Sequence, residues 1–179
     1  ALLFENAETG LSGGLVSINA AGIEEPPSED VGSPETYAGY ERTERFVSHE
    51  RLALDSRRAY SAPLTPPLNG WGLGGLWKVG AESSALQASP GKVVFRFHAR
   101  DMHMVLGAAR NGRPVRFKVT LDGVAPGDNH GGDSAPDGSG EVREPRLYQL
   151  IRQSGRVQDR TFEIEFLDPG VEVFSFTFG

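Results

Sequence analysis

The residues best suited to chemistry lie close together in the stretch Lys92 to Leu106, KVVFRFHARDMHMVL. Within it, two imidazoles, a guanidinium and a carboxylate are supplied by His98, His103, Arg100 and Asp101. Such groups could hydrogen-bond the hydroxyls or carboxylates of a sugar, and a histidine could also serve as a base. The competing interpretation is a structural ion pair between Arg100 and Asp101, since surface charges are commonplace in folded proteins.

The same stretch has the alternation of a half-buried β-strand. Its apolar face carries Val93, Phe95, Phe97 and Ala99. Beyond Arg100 the apolar residues move to the other parity, at Met102, Met104 and Leu106. A slip of one residue turns every side chain over, so we predict a bulge, bend or break near Arg100 and Asp101.

Aromatic residues on other strands add to the candidate site. An exposed ring can stack on a sugar, which makes Tyr148 a candidate platform beside the strand residue Arg146. Trp71 is a further candidate, although the apolar parity that it shares with Trp77 favours the core. The candidate ligand-binding residues are therefore Tyr148, Arg100, Asp101, His98, Arg146 and Trp71.

No metal or cofactor site is predicted. Asp133, Asp137, Gly138 and Glu144 match four places of a calcium loop, but Ala135 stands at the third. The alternative is a solvated turn rich in Asp and Gly, and the sequence leaves calcium binding open. Glycines at 70, 72 and 75 spell the G-x-G-x-x-G motif of dinucleotide-binding proteins. That motif needs a strand before it and a helix after it, whereas here prolines precede it and a strand follows, so a dinucleotide site is not predicted.

Composition narrows the classes of function. The 179 residues include no cysteine, so this chain carries no thiol chemistry or Cys-x-x-Cys motif. With 18 basic and 24 acidic residues the net charge is -6, which argues against nucleic acid as a partner. No apolar run approaches the roughly 20 residues of a membrane span, so we expect no membrane insertion by this segment.

The elements that position these residues are mostly strands. Alternation predicts strands at 70–80, 92–106, 114–122, 146–152, 161–167 and 171–178, a possible short one near Tyr60, and another at 15–20. Ser33 before Pro34 predicts a short helix that ends near Phe46. Residues 123 to 140 are predicted to be a loop. The fold class is therefore all-β, an antiparallel β-sandwich with one short N-terminal helix.

Six segments in order resemble the C-terminal domain appended to thioredoxin-like proteins of the DipZ type. They are SPETYAGYER (33–42), LNGWGLGGLWKVG (68–80), FRFHARDMHMVLG (95–107), RPVRFKVTLDG (113–123), EPRLYQLIR (144–152) and DRTFEIEFLDPGVEVFSFTFG (159–179). The resemblance implies a jelly-roll β-sandwich similar to carbohydrate-binding modules over residues 33–179. It also implies attachment to a thiol-disulfide domain outside the cytoplasmic membrane, with residues 1–32 as a linker or the tail of that domain.

Three hypotheses follow. The first is a noncatalytic accessory module that binds carbohydrate and so localises a thioredoxin-like domain. The second is a structural or protein-docking sandwich that orients the redox domain and binds no sugar. The third, an enzyme with His98 or His103 as base, ranks last because neither histidine has an evident catalytic partner in the sequence.

Overall fold

The structure, a computed structural model, describes residues 28–179. The strand predicted at 15–20 and most of the predicted linker, residues 1–32, lie outside the described residues. The other predicted strands lie within residues 28–179.

Ten β-strands form the regular structure of the described residues, together with one 3-10 turn at Gly127–Asn129. The strands are β1 (Thr36–Tyr37), β2 (Arg57–Tyr60), β3 (Trp71–Val79), β4 (Ser84–His98), β5 (Asp101–Gly107), β6 (Val115–Leu121), β7 (Ser139–Val142), β8 (Arg146–Arg152), β9 (Asp159–Phe166) and β10 (Glu172–Phe178). All the predicted strands within the described residues are present, including the short one at Tyr60.

The strands form one curled antiparallel sheet in the order β7-β6-β9-β4-β10-β5-β8. Strand β3 pairs with β4, β2 pairs with β3, and β1 pairs with β10. The curl brings two arms face to face: β2, β3, β4, β9, β6 and β7 form the first arm, and β1, β10, β5 and β8 form the second. The prediction of an all-β antiparallel fold is confirmed.

The core lies between the two arms. Trp71 and Trp77 are fully buried, as the apolar parity of their strand predicted. The rings of Phe95 on β4 and Phe176 on β10 lie 4.8 Å apart, centroid to centroid, and so join the arms. Buried aromatic pairs of this kind stabilise a core beyond the effect of their buried area.

The phase slip corresponds to the point where the chain passes from one arm to the other. Strand β4 ends at His98, Ala99 and Arg100 form a bend, and β5 starts at Asp101. Along most of its length β4 pairs with β3 and β9, whereas β5 pairs with β10 and β8. The predicted break at Arg100 and Asp101 is confirmed, because the apolar parity changes at the bend.

The short N-terminal helix predicted between Pro34 and Phe46 does not form. Thr36–Tyr37 is instead the strand β1, and the N–H of Ala38 donates to Phe174 O at 2.9 Å. A helix of so few turns depends on packing, whereas pairing with β10 satisfies the backbone directly. The expected cap, Ser33, donates its hydroxyl to Asn69 Oδ1 rather than closing a helix.

Two details of the strands also differ from expectation. Alternation predicts that Phe174, Phe176 and Phe178 share one apolar face, but the register shifts between Val173 and Ser175. Phe174 therefore lies in a bulge, only partly buried, and does not share the face of Phe176. Strand β7 forms at the end of the segment predicted to be a loop, because it pairs with residues 115–118 of β6. The bulge at Phe174 and strand β7 both depend on pairing with another strand, so the local sequence does not indicate them.

Candidate functional site

Asp101 is the centre of an ion cluster at the bend. Its carboxylate is 3% exposed as a residue and receives Arg152 Nε at 2.9 Å and Arg100 NH2 at 2.9 Å. Burial by itself would raise the pKa of Asp101, but the hydrogen bonds from Arg152 and Arg100 outweigh it and lower the pKa. The ion pair between Arg100 and Asp101 is therefore present, and Arg152 ties the bend to β8.

Tyr148 does not present a ring face to a ligand, which corrects its assignment as a sugar platform. The residue is fully buried, and its hydroxyl donates to Glu144 O at 2.6 Å. The same oxygen accepts from the N–H groups of Arg143 and Glu144. The guanidinium carbon of Arg146 lies 3.9 Å from the ring centroid. Tyr148 therefore fixes the approach to β8 rather than a ligand.

Trp71 is likewise unavailable as a platform. It is fully buried, and its indole N–H is shared by Thr43 Oγ1 and Glu44 O, each at 3.2 Å. Large buried aromatic side chains of this type fill cores. Trp71 is therefore a core residue, as the parity of its strand indicated.

His98 lies at the end of β4 and is held by two carboxylates. Its Nδ1 is 2.7 Å from Asp159 and its Nε2 is 2.9 Å from Asp30. These hydrogen bonds raise the pKa of His98, with the Asp159 bond contributing most. Both ring nitrogens are thus engaged, and His98 does not join the residues of β5 in a common site.

A small polar cleft lies on the outer side of the second arm, next to the bend. Its volume is about 130 Å³. Strands β5 and β8 and the loop between β6 and β7 supply its lining, which includes Asp101, His103, His130, Gly132, Gln149 and Arg152. Because Met102 and Met104 point into the core, the alternation of β5 turns His103 outward into this cleft.

His103 is a polar group of the cleft whose ring makes no hydrogen bond within residues 28–179. Burial lowers its pKa below the ordinary histidine value, so its ring is neutral near pH 7. No group in residues 28–179 hydrogen-bonds the ring. In register beside it lie Gln149 on β8 and Thr177 on β10, and the buried hydroxyl of Thr177 finds no partner within the described chain. His103 and Thr177 thus have hydrogen-bonding capacity that residues 28–179 leave unused.

His130 adds an acceptor on the loop side of the cleft. Its Nδ1 lies 2.8 Å from Gly131 O and 2.7 Å from Ser134 O. Two carbonyl acceptors require a proton on Nδ1, so in the neutral ring Nε2 carries the lone pair. The loop itself is fixed on β8, since Gly131 N–H donates to Leu150 O at 3.0 Å.

The loop that resembled a calcium site uses its carboxylates elsewhere. Asp133 receives Arg146 NH2 at 2.9 Å and the N–H of Gln149 at 2.8 Å, while Asp137 accepts from Ser139. Within residues 28–179 no group of three or more His, Asp or Glu side chains is placed to hold a metal ion. The observed contacts describe an ion-paired turn.

Comparison with known proteins identifies the domain. Residues 33–179 match the family described as the thioredoxin like C-terminal domain. The chain belongs to this family. The thioredoxin like C-terminal domain is an accessory domain of a thioredoxin-like protein. No curated protein matches the chain.

The described part of this thioredoxin like C-terminal domain contains no helix long and apolar enough to cross a membrane. Its cleft brings Asp101, which the sequence indicated, together with residues that sequence reasoning missed, among them His130, Gly132, Gln149 and Arg152. The glycine-rich composition of residues 123–140 indicated a loop, but no local signal places that loop against β8. His103 stood in the original cluster with Asp101, and both of these residues line the cleft.

Proposed function

We propose that this domain is a noncatalytic accessory module that binds carbohydrate in the cleft at His103. The observation that carries the proposal is the neutral ring of His103, which no group of residues 28–179 hydrogen-bonds, in the same cleft as Nε2 of His130. A sugar hydroxyl both donates and accepts a hydrogen bond, so it can satisfy such a pair of groups at once. Burial makes each of these bonds more valuable than it would be on an open surface.

The shape of the cleft favours recognition of one end of a glycan. At about 130 Å³ it is smaller than the pockets of roughly 300 to 1,000 Å³ that enclose whole ligands. The aromatic residues Trp71 and Tyr148 are buried and offer no flat surface along which a sugar chain could lie. We therefore expect the edge of a terminal sugar, rather than the middle of a chain, to enter the cleft.

The surroundings of the histidines support binding rather than catalysis. Nδ1 of His130 is held by backbone carbonyls, and the carboxylate of Asp101 is shared by two arginines. Nucleophilic catalysis needs a nucleophile with a base within hydrogen-bond reach. Neither His130 nor Asp101 takes part in such a pair in the described residues. With no cysteine in the chain, thiol-disulfide chemistry would belong to a neighbouring thioredoxin-like domain.

The cellular setting is part of the same proposal. Resemblance to the DipZ type favours an extracytoplasmic location, where the module would hold its thioredoxin-like neighbour near an envelope or exported carbohydrate. Binding to the envelope would raise the local concentration of the redox domain without any change to its chemistry.

A docking role is the second candidate. Leu64 is 93% exposed in the loop before β3, and Val31 and Leu68 are each 41% exposed. Asn69 Nδ2 donates to Gly32 O at 3.2 Å. Since Gly32 follows Val31 and Asn69 follows Leu68, this bond brings the backbone beside Val31 close to the backbone beside Leu68. An apolar surface beside the segment that enters the domain favours contact with a neighbouring domain.

A glycan array separates the two roles. The 179-residue wild-type chain is compared with His103→Ala, and His49→Ala, an exposed residue on another loop, serves as the control. We expect binding by wild type and His49→Ala that His103→Ala loses. If wild type binds no glycan, carbohydrate binding is wrong and docking becomes the better account; if His103→Ala binds as wild type does, the cleft is not the site.

A further inference from the structure

His98 connects the segment before β1 to the first arm of the sheet. Its Nε2 lies 2.9 Å from Asp30 Oδ1, and its Nδ1 lies 2.7 Å from Asp159 Oδ1. A neutral imidazole has a single N–H and would direct a lone pair at one of the two carboxylates. The imidazolium donates to both, so this geometry fits the protonated ring.

Hydrogen bonds without a titratable group also hold the adjoining residues, and the bond to Asp30 adds to their stability. Gly32 N–H donates to His98 O at 2.7 Å, and His98 N–H donates to Ser33 Oγ at 2.8 Å. Asn69 Nδ2 donates to Gly32 O at 3.2 Å. The bond from His98 to Asp30 lies outermost along the segment and is the one contact among these whose strength depends on pH.

Three charged groups face the His98 ring or its partners. Asp30 comes from the entering segment, Asp159 from β9, and Arg96 from β4 lies 3.9 Å from the second oxygen of Asp159. The side chain of His98 is 24% exposed, against 61% for Asp30 and 42% for Asp159. The contact is thus partly screened by water, and its strength is that of a surface ion pair reinforced by hydrogen bonds.

We propose that His98, Asp30 and Asp159 form a pH-sensitive clasp, which holds the entering segment while His98 is protonated and releases it as the pH rises. Asp30 precedes residue 33, where the family match begins, whereas His98 and Asp159 lie within the match. The clasp therefore adds a pH-dependent attachment of the chain just before the domain, beside the bonds of Gly32 and Ser33 that do not titrate. It is independent of carbohydrate binding.

The direction of the pH dependence follows from the charge of the clasp. The two carboxylates raise the pKa of His98, so its stabilising contribution is complete below about pH 6.5, the ordinary histidine value. The contribution declines as the pH rises through the raised pKa. Attachment is strongest in mildly acidic surroundings.

Nuclear magnetic resonance on the 179-residue chain tests the clasp. The ring of His98 is titrated in wild type, Asp30→Asn, Asp159→Asn and Glu29→Gln, the last being the matched control on an exposed neighbour of Asp30. We expect a pKa above about 6.5 in wild type and Glu29→Gln, and a lower pKa in each aspartate variant.

Hydrogen exchange at the Gly32 amide gives the second readout. After correction for the intrinsic exchange rate, its protection should fall about two- to fivefold between pH 6 and pH 8 in wild type and Glu29→Gln. In Asp30→Asn it should be low at both pH values. The clasp is overturned if His98 titrates at or below about 6.5, if Asp30→Asn and Glu29→Gln have the same pKa, or if the protection of Gly32 does not change with pH.

Discussion

The carboxylate of Asp101 and the guanidinium of Arg152 meet, Oδ1 to Nε, at 2.9 Å, where the chain turns from the first arm of the sheet to the second. The two residues are in register, one at the start of β5 and the other at the end of β8. Gly179 completes the arrangement, because its O accepts the N–H of Asp101 at 2.9 Å. The bend that reverses the parity of the strand is thus secured by charge and by the C-terminal backbone.

Replacement of Asp101 by Asn tests this role in stability. The variant keeps the shape of the side chain but removes the charge that Arg100 and Arg152 share, and breaking a buried ion pair costs about 3 kcal/mol. Urea unfolding measures the change in the free energy of unfolding. Asp128→Asn, on an exposed loop, is the control and should change it by less than about 0.5 kcal/mol. Equal effects of the two substitutions would show that the ion cluster does not hold the bend.

The effect of Asp101→Asn should also depend on pH. Its arginine partners lower the pKa of Asp101, so the carboxylate stabilises the fold above about pH 3.9, the ordinary aspartate value, and loses this effect as the pH falls through the lowered pKa. The difference in unfolding free energy between wild type and variant should therefore shrink in strong acid. A difference that stays constant from pH 7 to pH 2 would contradict the assignment.

Tyr148→Phe separates structure from binding. The hydroxyl bonds the backbone of Arg143 and Glu144, and leaving those groups unsatisfied should cost about 1 to 3 kcal/mol. Carbohydrate binding should be unchanged, because the ring is buried away from the cleft lining. Tyr37→Phe is the control, since that hydroxyl donates to the side chain of Glu35 at the surface. Lost binding with unaltered stability would restore Tyr148 as a ligand residue.

His98 and His103 should titrate in opposite directions from the ordinary histidine value. The carboxylates around His98 raise its pKa, whereas burial lowers that of His103. The contribution of neutral His103 to stability is present above about pH 6.5 and is lost as the pH falls through its lowered pKa. Resonances of the two rings, assigned with His98→Gln and His103→Gln, measure both values in one sample. A common pKa would contradict the described surroundings of both residues.

The strands and the bend could be predicted because alternation records which side of a strand is buried. The parity change between Ala99 and Met102 marks the bend without knowledge of any partner strand. The prediction of the short helix was wrong because it used local signals only, Ser33 and Pro34. A partner distant in sequence decided the structure, since β10 pairs with the backbone of Thr36–Tyr37.

The site was harder to predict because its parts meet through contacts distant in sequence. The run LYQLI in β8 is almost continuously apolar, so it does not reveal that Tyr148 faces inward, opposite Met104. A register shift between Met102 and His103 further obscures the pairing. The cleft itself depends on backbone bonds from the loop to β8, such as that from Gly131 to Leu150, which no periodicity records.

The most direct test of carbohydrate binding at the cleft fills the cleft without removing any polar group. Gly132 lies in the lining, and a Cβ there would stand 3.4 Å from Gln149 Oε1, so Gly132→Leu can be accommodated while it occupies ligand space. Gly155→Leu is the matched control, because a Cβ there meets nothing within 4 Å.

Isothermal titration with the strongest glycan from the array compares both variants with wild type, after thermal unfolding has shown that all three are equally stable. We predict that Gly132→Leu weakens binding by roughly tenfold or more, about 1.4 kcal/mol, and that Gly155→Leu binds as wild type does. Wild-type affinity in a folded Gly132→Leu variant would contradict the proposal that this cleft holds the sugar.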